Sequence, residues 1–327
     1  MLNKSQHLSS KILTDEVELI PTRNGYGEAL VELGEKNPDV VVLTADLAES
    51  TRALAFGEKY PDRFFEVGVA EQNMMGIAAG LAISGKIPFV SSYAVFSPGR
   101  SWDQLRVSVC YSLANVKIAG AHTGVSVGPD GATHQALEDI AITRVLPNLV
   151  VIAPCDSIET KKCTIAAAHH KGPVYFRFAR EKTPVMTTED SPFEIGKANV
   201  LREGGDITII ACGPLVYEAL LAAQDLSKEN IEAEVINSHT IKPLDIKTIV
   251  ESAKKTGCAV TVEEHQIHGG LGSAVAEALA QKHPVPIEII GMPDTFGESG
   301  SPKELLEKYG LTSAHIVKAC KKSLKRR

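Results

Sequence analysis

Short apolar runs and helix-patterned stretches take turns along this chain from about residue 21 to its end, with only brief turns between them. That order argues for parallel strands joined by crossover helices, an α/β fold with helices on both faces of each sheet. The first half predicts strands at 40–43, 64–67, 89–93, 116–119, 149–153 and 174–178, about six in one sheet. Helical patterns fall near 23–35, 71–83, 102–111, 135–143 and 157–169. Residues 182–197 then break the alternation with Pro184, Thr187, Thr188, Pro192 and Gly196 among mixed charges, the composition of an exposed connector. Beyond it the pattern restarts, with strands at 207–211, 234–236, 259–262 and 287–290 and helices near 216–226, 246–254, 272–279 and the C-terminal tail. Two open, doubly wound sheet domains are therefore expected, at 18–185 and 196–327, and 327 residues suit that number.

Composition closes off other classes. With 44% hydrophobic and 23% charged residues the chain is neither disordered nor fibrous. Its 34 Lys and Arg against 40 Asp and Glu leave a net charge of −6, so no nucleic-acid partner is expected. The longest uncharged runs, 72–85 and 87–99, fall short of the ~20 residues a spanning helix needs. The first ten residues carry polar Asn3, Ser5, Gln6 and His7 instead of an apolar signal core, so no membrane and a cytoplasmic address are expected. The six cysteines never come closer than eight residues, which offers neither a Cys-x-x-Cys metal site nor a redox pair; they read as reduced, mostly buried packing residues. Six of the last ten residues are basic, and cations at the end of a final helix complement its dipole without any polyanion.

Two segments carry candidate chemistry. In Val67-Gly68-Val69-Ala70-Glu71-Gln72-Asn73-Met74-Met75-Gly76-Ile77-Ala78-Ala79-Gly80, Glu71 opens the helix and shares a face with Met74, Met75 and Ala78. A carboxylate on such a face has its charged form disfavoured by desolvation, which suits it to share or donate a proton. It could equally be a negative charge welcomed at its own helix start. Small residues at 76, 78, 79, 80, 82 and 85 let another backbone or subunit come close.

The second segment, residues 121–135, holds His122, Asp130 and His134 among three glycines and Pro129. That composition prevents a regular helix or strand, so it forms a long loop at a strand's carboxyl end, where open parallel sheets bind ligands. Two histidines and an aspartate supply donors and acceptors for a polyhydroxylated substrate, and a histidine moves protons near neutrality. A metal would need a third or fourth ligand, and no metal site is assigned.

Together these segments resemble the pyrimidine-binding and C-terminal domains of transketolase, a thiamin-diphosphate enzyme, over essentially the whole chain. Further matching pieces are Thr44-Ala45-Asp46-Leu47, Thr240-Ile241-Lys242-Pro243-Leu244-Asp245 and Val262-Glu263-Glu264-His265 followed by Gly269-Gly270. The resemblance implies that Glu71 bonds N1′ of the aminopyrimidine and favours the tautomer that removes the thiazolium C2 proton. It places Phe96 on the pyrimidine ring with Tyr93 beside it, and Asp46 among the cofactor-side contacts. Arg23, Ser50 and Arg180 resemble the contacts to a sugar phosphate; His122 would lie between phosphate and hydroxyls, Asp130 on a donor hydroxyl, and His134 near the reacting carbonyl. Judged without the family, Arg23 and Arg180 read as solvated surface charges. Ser97-Pro98-Gly99 makes the segment before Arg100 one residue longer than in single-chain enzymes and leaves the part played by Arg100 open.

The family's diphosphate-binding domain carries Gly-Asp-Gly, and that tripeptide does not occur here. The resemblance thus implies the C-terminal subunit of a split transketolase, with an N-terminal partner holding Mg²⁺ and the diphosphate, as a heterotetramer of two copies of each. The expected reaction moves a two-carbon ketol unit from a ketose phosphate to an aldose. A 1-deoxyxylulose-5-phosphate-synthase-like or 2-oxo-acid-dehydrogenase beta-like chain is the rival enzyme, and a non-catalytic regulatory subunit the rival of another class.

Overall fold

The computed structural model describes all of residues 1–327. The six strands expected in the first half form one sheet: β2 (Val40–Thr44), β3 (Phe64–Glu66), β4 (Ile87–Tyr93), β5 (Lys117–Ala121), β6 (Val150–Ile152) and β7 (Val174–Phe178). Before them comes the short β1 (Leu19–Pro21). The helices of this half are α1 (Thr22–Lys36), α2 (Leu54–Lys59), α3 (Glu71–Ile83), α4 (Trp102–Gln104), α5 (Asp139–Arg144) and α6 (Ser157–His169). The connector opens with β8 (Lys182–Pro184), and past it follow β9 (Asn199–Arg202), β10 (Ile207–Ala211), β11 (Ala233–Asn237), β12 (Thr240–Lys242), β13 (Ala259–Gln266) and β14 (Ile287–Met292). They alternate with α7 (Val216–Ser227), α8 (Ile246–Thr256), α9 (Leu271–Lys282), α10 (Pro302–Lys308) and α11 (Ser313–Leu324).

The first sheet runs β12-β6-β7-β5-β4-β2-β3 and is parallel except for β12, while the second runs β14-β13-β10-β11-β9 and is parallel except for β9. Successive strand residues point to opposite faces, so each buried strand feeds two cores. Val40 and Val42 pack with Tyr26 and Leu30 of α1 and Cys163 of α6. Val41 and Leu43 pack on the other face with Met74, Met75 and Ala78 of α3. That second core also takes in Ile210, Ile236 and Leu271, so the two sheets share one continuous apolar interior. All six cysteines are buried and unpaired. No helix is long and apolar enough to cross a membrane.

Several local readings change. The helix expected from 135 begins only at Asp139, because Ala136 bridges Thr123 and its carbonyl accepts from the Gly124 N–H at 2.9 Å. The loop 121–135 contains a 3₁₀ turn, Val125–Asp130. The connector is not all coil, since Leu19–Pro21 pairs antiparallel with Lys182–Pro184. The helical stretch at 102–111 widens to π geometry from Leu105 to Tyr111. Thr240–Lys242, counted with the second domain, is a strand of the first sheet, paired with β6. In the C-terminal helix Lys321 pairs with Glu229, and Lys322 and Arg326 pair with Glu288.

Candidate functional site

Glu71 sits at the first position of α3, and its carboxylate is only 4% exposed. Burial among Met74, Met75 and Ala78 strips water from the group, a cost of several kcal/mol unless a partner compensates. Arg100 is that partner: its Nη1 donates to both carboxylate oxygens, at 3.1 and 3.2 Å. The same guanidinium lies 4.1 Å over the Phe96 ring, a cation–π contact that fixes its place. Two carboxylate oxygens carry more acceptor capacity than one N–H can use, so a further donor can still reach Glu71. The apolar setting expected from the sequence is present, and an arginine that the sequence left unassigned completes it.

Tyr93 ends β4 and Phe96 lies three residues beyond it; their rings are nearly parallel, with centroids 5.9 Å apart and planes 14° off. His134 meets both rings edge-on, at 5.5 Å from Phe96 and 6.0 Å from Tyr93. His122 packs on the far side of Tyr93 at 4.1 Å. Arg23, at the start of α1, reaches this group: its Nη1 donates to the Ser50 carbonyl at 2.9 Å and lies 3.5 Å from His122 Nε2. Arg180 donates to Asp130 at 3.0 Å. Asp46 is exposed at the end of β2, and its N–H donates to Glu66, whose carboxylate also accepts from Gly68 ahead of Glu71. The structure thus brings Glu71, Phe96, Tyr93, His134, His122, Arg23 and Ser50 into one connected line at the strand ends. Arg180 and Asp130 flank it as an ion pair, and Asp46 stands at its margin. His122, Asp46 and Arg52 all have positive φ, at 56°, 60° and 67°, an unfavourable conformation for residues with side chains that clusters at these strand ends.

His122 is 1% exposed, and burial first, then the charges of Arg23 and Arg180, push it down to about 3. The ring is therefore neutral at physiological pH. Arg23 Nη1 lies 3.5 Å from Nε2, and Nδ1 is buried with no partner in the protein. Arg23 Nε is likewise buried without an acceptor. An unpartnered ring nitrogen and an unpartnered guanidinium N–H, both buried, fit a polar, anionic ligand. The lowered value has a consequence for stability. Between the unfolded value near 6.5 and about 3 the unfolded chain binds the extra proton, so this contribution is complete above pH 6.5 and is lost as pH falls. His122→Gln is expected to cut the stability lost between pH 7 and 4.5 by about 2–3 kcal/mol, read from urea unfolding at the two pH values.

An apolar, unpartnered face starts beside Glu71 and follows α3 to the opposite end of the sheet. Val69 and Ile83 are 70% and 74% exposed, and Tyr111 and Leu113 of the neighbouring helical segment are 84% and 61% exposed. On α3 a Cβ at Gly76 or Gly80 would meet nothing within 4 Å. Exposed apolar surface on this scale marks a face for another chain. No group of three His, Cys, Asp or Glu side chains is arranged to hold a metal ion.

Two open parallel-rich sheets with a buried carboxylate and an aromatic shelf at their strand ends define an α/β ligand-binding scaffold. Residues 18–186 match the transketolase pyrimidine-binding domain and residues 196–316 the transketolase C-terminal domain. The chain is 48% identical to a transketolase C-terminal section of Methanocaldococcus jannaschii, covering 93% of this chain and 96% of that one. It is 44% identical to a 6-deoxy-6-sulfo-D-fructose transketolase subunit of a Clostridium species, over 91% and 92% of the two chains. A solved split-gene transketolase, an inactive beta4 tetramer, superposes with a TM-score of 0.87 at 48% identity, covering 94% of this chain and 99% of that one. The chain belongs to the transketolase family, as the C-terminal subunit of a split form, and the family uses thiamin diphosphate.

Proposed function

We propose that this chain and an N-terminal partner together transfer a two-carbon ketol unit from an anionic ketose to an aldose. The observation that carries this reading is Glu71, buried at the lip of an apolar face that lacks its partner and beside the Phe96–Tyr93 shelf. A buried acceptor next to two aromatic faces fits a protonatable aminopyrimidine. Thiamin diphosphate, when bound, supplies the carbanion chemistry. Glu71 takes and returns the proton at the ring nitrogen, Phe96 and Tyr93 orient the ring, and Asp46 lies on the cofactor side. The chain shows no cluster for a metal, and the diphosphate with Mg²⁺ is assigned to the partner in a heterotetramer of two copies of each. The relative solved as an inactive beta4 tetramer supports a need for that partner.

On the substrate side, Arg23, Arg180 and the Ser50 turn receive the anionic end, His122 and Asp130 the hydroxyls, and His134 the reacting carbonyl. His122, kept neutral by burial and by the Arg23 and Arg180 charges, offers its unpartnered Nδ1 to a hydroxyl. A guanidinium-lined pocket accepts a phosphate or a sulfonate, and one relative's name specifies a sulfonated ketose.

Mixing the chain with its partner, Mg²⁺ and thiamin diphosphate, and screening phosphorylated ketoses, sulfonated ketoses and pyruvate, tests the assignment. Ketol transfer from an anionic ketose is expected, with none from the chain alone. Turnover of pyruvate in place of ketoses would move the chain to the synthase-like or dehydrogenase-like reading. In the same assay Arg23→Ala and Arg180→Ala are each expected to raise KM for the donor by about 10- to 100-fold with kcat nearly unchanged, the loss of one charge-assisted contact. An unchanged KM would remove both from the pocket.

A further inference from the structure

The stretch Glu263-Glu264-His265 ends β13 fully buried, and the function proposed above uses none of its side chains. Buried titratable groups are costly unless each is satisfied, so their partners reveal their work. Glu263 stays within its own domain and accepts from the N–H groups of Leu271 and Gly272 at 2.6 and 2.8 Å, closing the start of α9. His265 accepts from the Ala141 N–H at 3.2 Å and donates to the Gln266 carbonyl at 2.8 Å. Glu264 crosses between domains: its Oε1 accepts from the Ser126 N–H at 2.5 Å.

Ser126 lies in the 3₁₀ turn between His122 and the Asp130–His134 end of the loop. The strand end carrying Glu264 is itself held, because Arg177 donates to the Glu264 carbonyl at 3.1 Å and pairs with Asp139 at 3.0 Å. Gly124 belongs to the same joint. Its φ is 84°, and a Cβ there would run into the Glu264 carboxylate. The second domain thus holds the substrate loop through the Glu264 carboxylate at Ser126 and through the 298–302 segment, where Gln135 donates to the Glu298 carbonyl at 3.0 Å and Gly128 lies against Gly300 and Pro302. Glu71, Arg100, Phe96 and Tyr93 lie on α3 and around the end of β4 and make no hydrogen bond to it.

We propose that Glu264 is a positioning residue, the carboxylate by which the C-terminal domain fixes the Ser126 turn and so helps to set His122, Asp130 and His134 toward the ketose, while leaving the cofactor-side machinery alone. This rests on the functional reading given above. A separation follows between substrate recognition, which depends on Glu264, and proton removal from the cofactor, which does not.

Glu264→Ala, Glu264→Gln and Gly124→Ala test it. In the full-length chain, hydrogen exchange of the amides across 124–131 is expected to quicken about tenfold or more in Glu264→Ala and to return near wild type in Glu264→Gln, whose amide oxygen can still accept. In the reconstituted complex Glu264→Ala is expected to lose about 100-fold in donor kcat/KM, mostly through KM, with Glu264→Gln largely restored. Thiamin diphosphate C2-proton exchange, followed by NMR in the same complex, should stay within about twofold of wild type. Gly124→Ala should reproduce the Glu264→Ala pattern from the other side of the joint. Unaltered loop exchange in Glu264→Ala, or C2 exchange falling in step with donor kinetics, would overturn the proposal. A wild-type complex that moves no ketol unit from any donor would instead sink the functional reading, and the amide exchange would still decide whether Glu264 anchors the loop.

Discussion

Glu71→Gln in the reconstituted complex is expected to lower ketol transfer by about 10²- to 10⁴-fold, the usual worth of a positioned acid–base group. Glutamine preserves the size of the side chain and one acceptor oxygen, so the packing of Met74, Met75 and Ala78 of α3 against Val41 and Leu43 should survive. What it removes is the negative charge that draws a proton toward a ring nitrogen and balances Arg100. Assembly with the partner, followed by sedimentation, should therefore match wild type while turnover collapses. Full activity in Glu71→Gln would end the assignment of this carboxylate, and with it the mechanism.

The second large effect is on stability. Gly25→Ala should destabilise the chain by about 3 kcal/mol, read as a lower urea midpoint at unchanged slope. Helix α1 lies directly against the start of α6, and a Cβ at Gly25 would fall inside the Ser157 carbonyl oxygen. Backbone on both sides leaves no flexible side chain to yield, so one helix must move. Such a shift would also carry Arg23, two residues earlier, away from Ser50 and His122. A stable Gly25→Ala chain would show that the two helices separate at little cost.

Much of this molecule was legible beforehand because its strands are buried on both faces. Continuous apolar runs such as Val40–Leu43 and Leu149–Ala153 announce themselves, and a sheet covered by helices follows from their spacing. Short or edge elements carry no such signal. Thr240–Lys242 falls in a stretch where no strand is expected, yet it pairs antiparallel with β6 because the second domain folds back on the first. Leu19–Pro21 and Lys182–Pro184 are three residues each and exist only as each other's partner. The helix expected from 135 fails for a related reason: Gln135 donates to the Val125 and Glu298 carbonyls, bonds made with segments distant in sequence.

The site divides in the same way. Glu71, Phe96, Tyr93, Arg23, His122 and His134 could be named from motif and spacing, and the fold gathers them at one set of strand ends. Arg100 and Glu264 gained roles only from contacts. An exposed arginine after Ser97-Pro98-Gly99 resembles any surface cation until its guanidinium is seen over Phe96 and against Glu71. A glutamate at a strand end resembles a helix cap, as its neighbour Glu263 is, until it is found on the far domain's loop.

The order of residues alone determined the strand and helix periodicities, the class of fold and the identity of the candidate acid, because these depend on local pattern and on short motifs. Which buried charges pair, which way a loop is gripped, and which apolar face is left open depend on groups separated by tens of residues, and for Ser126 and Glu264 by more than a hundred, meeting in a low-dielectric interior. Only the folded arrangement decides those pairings, since an unpaired buried charge is too costly to persist and each such group must find its partner in space.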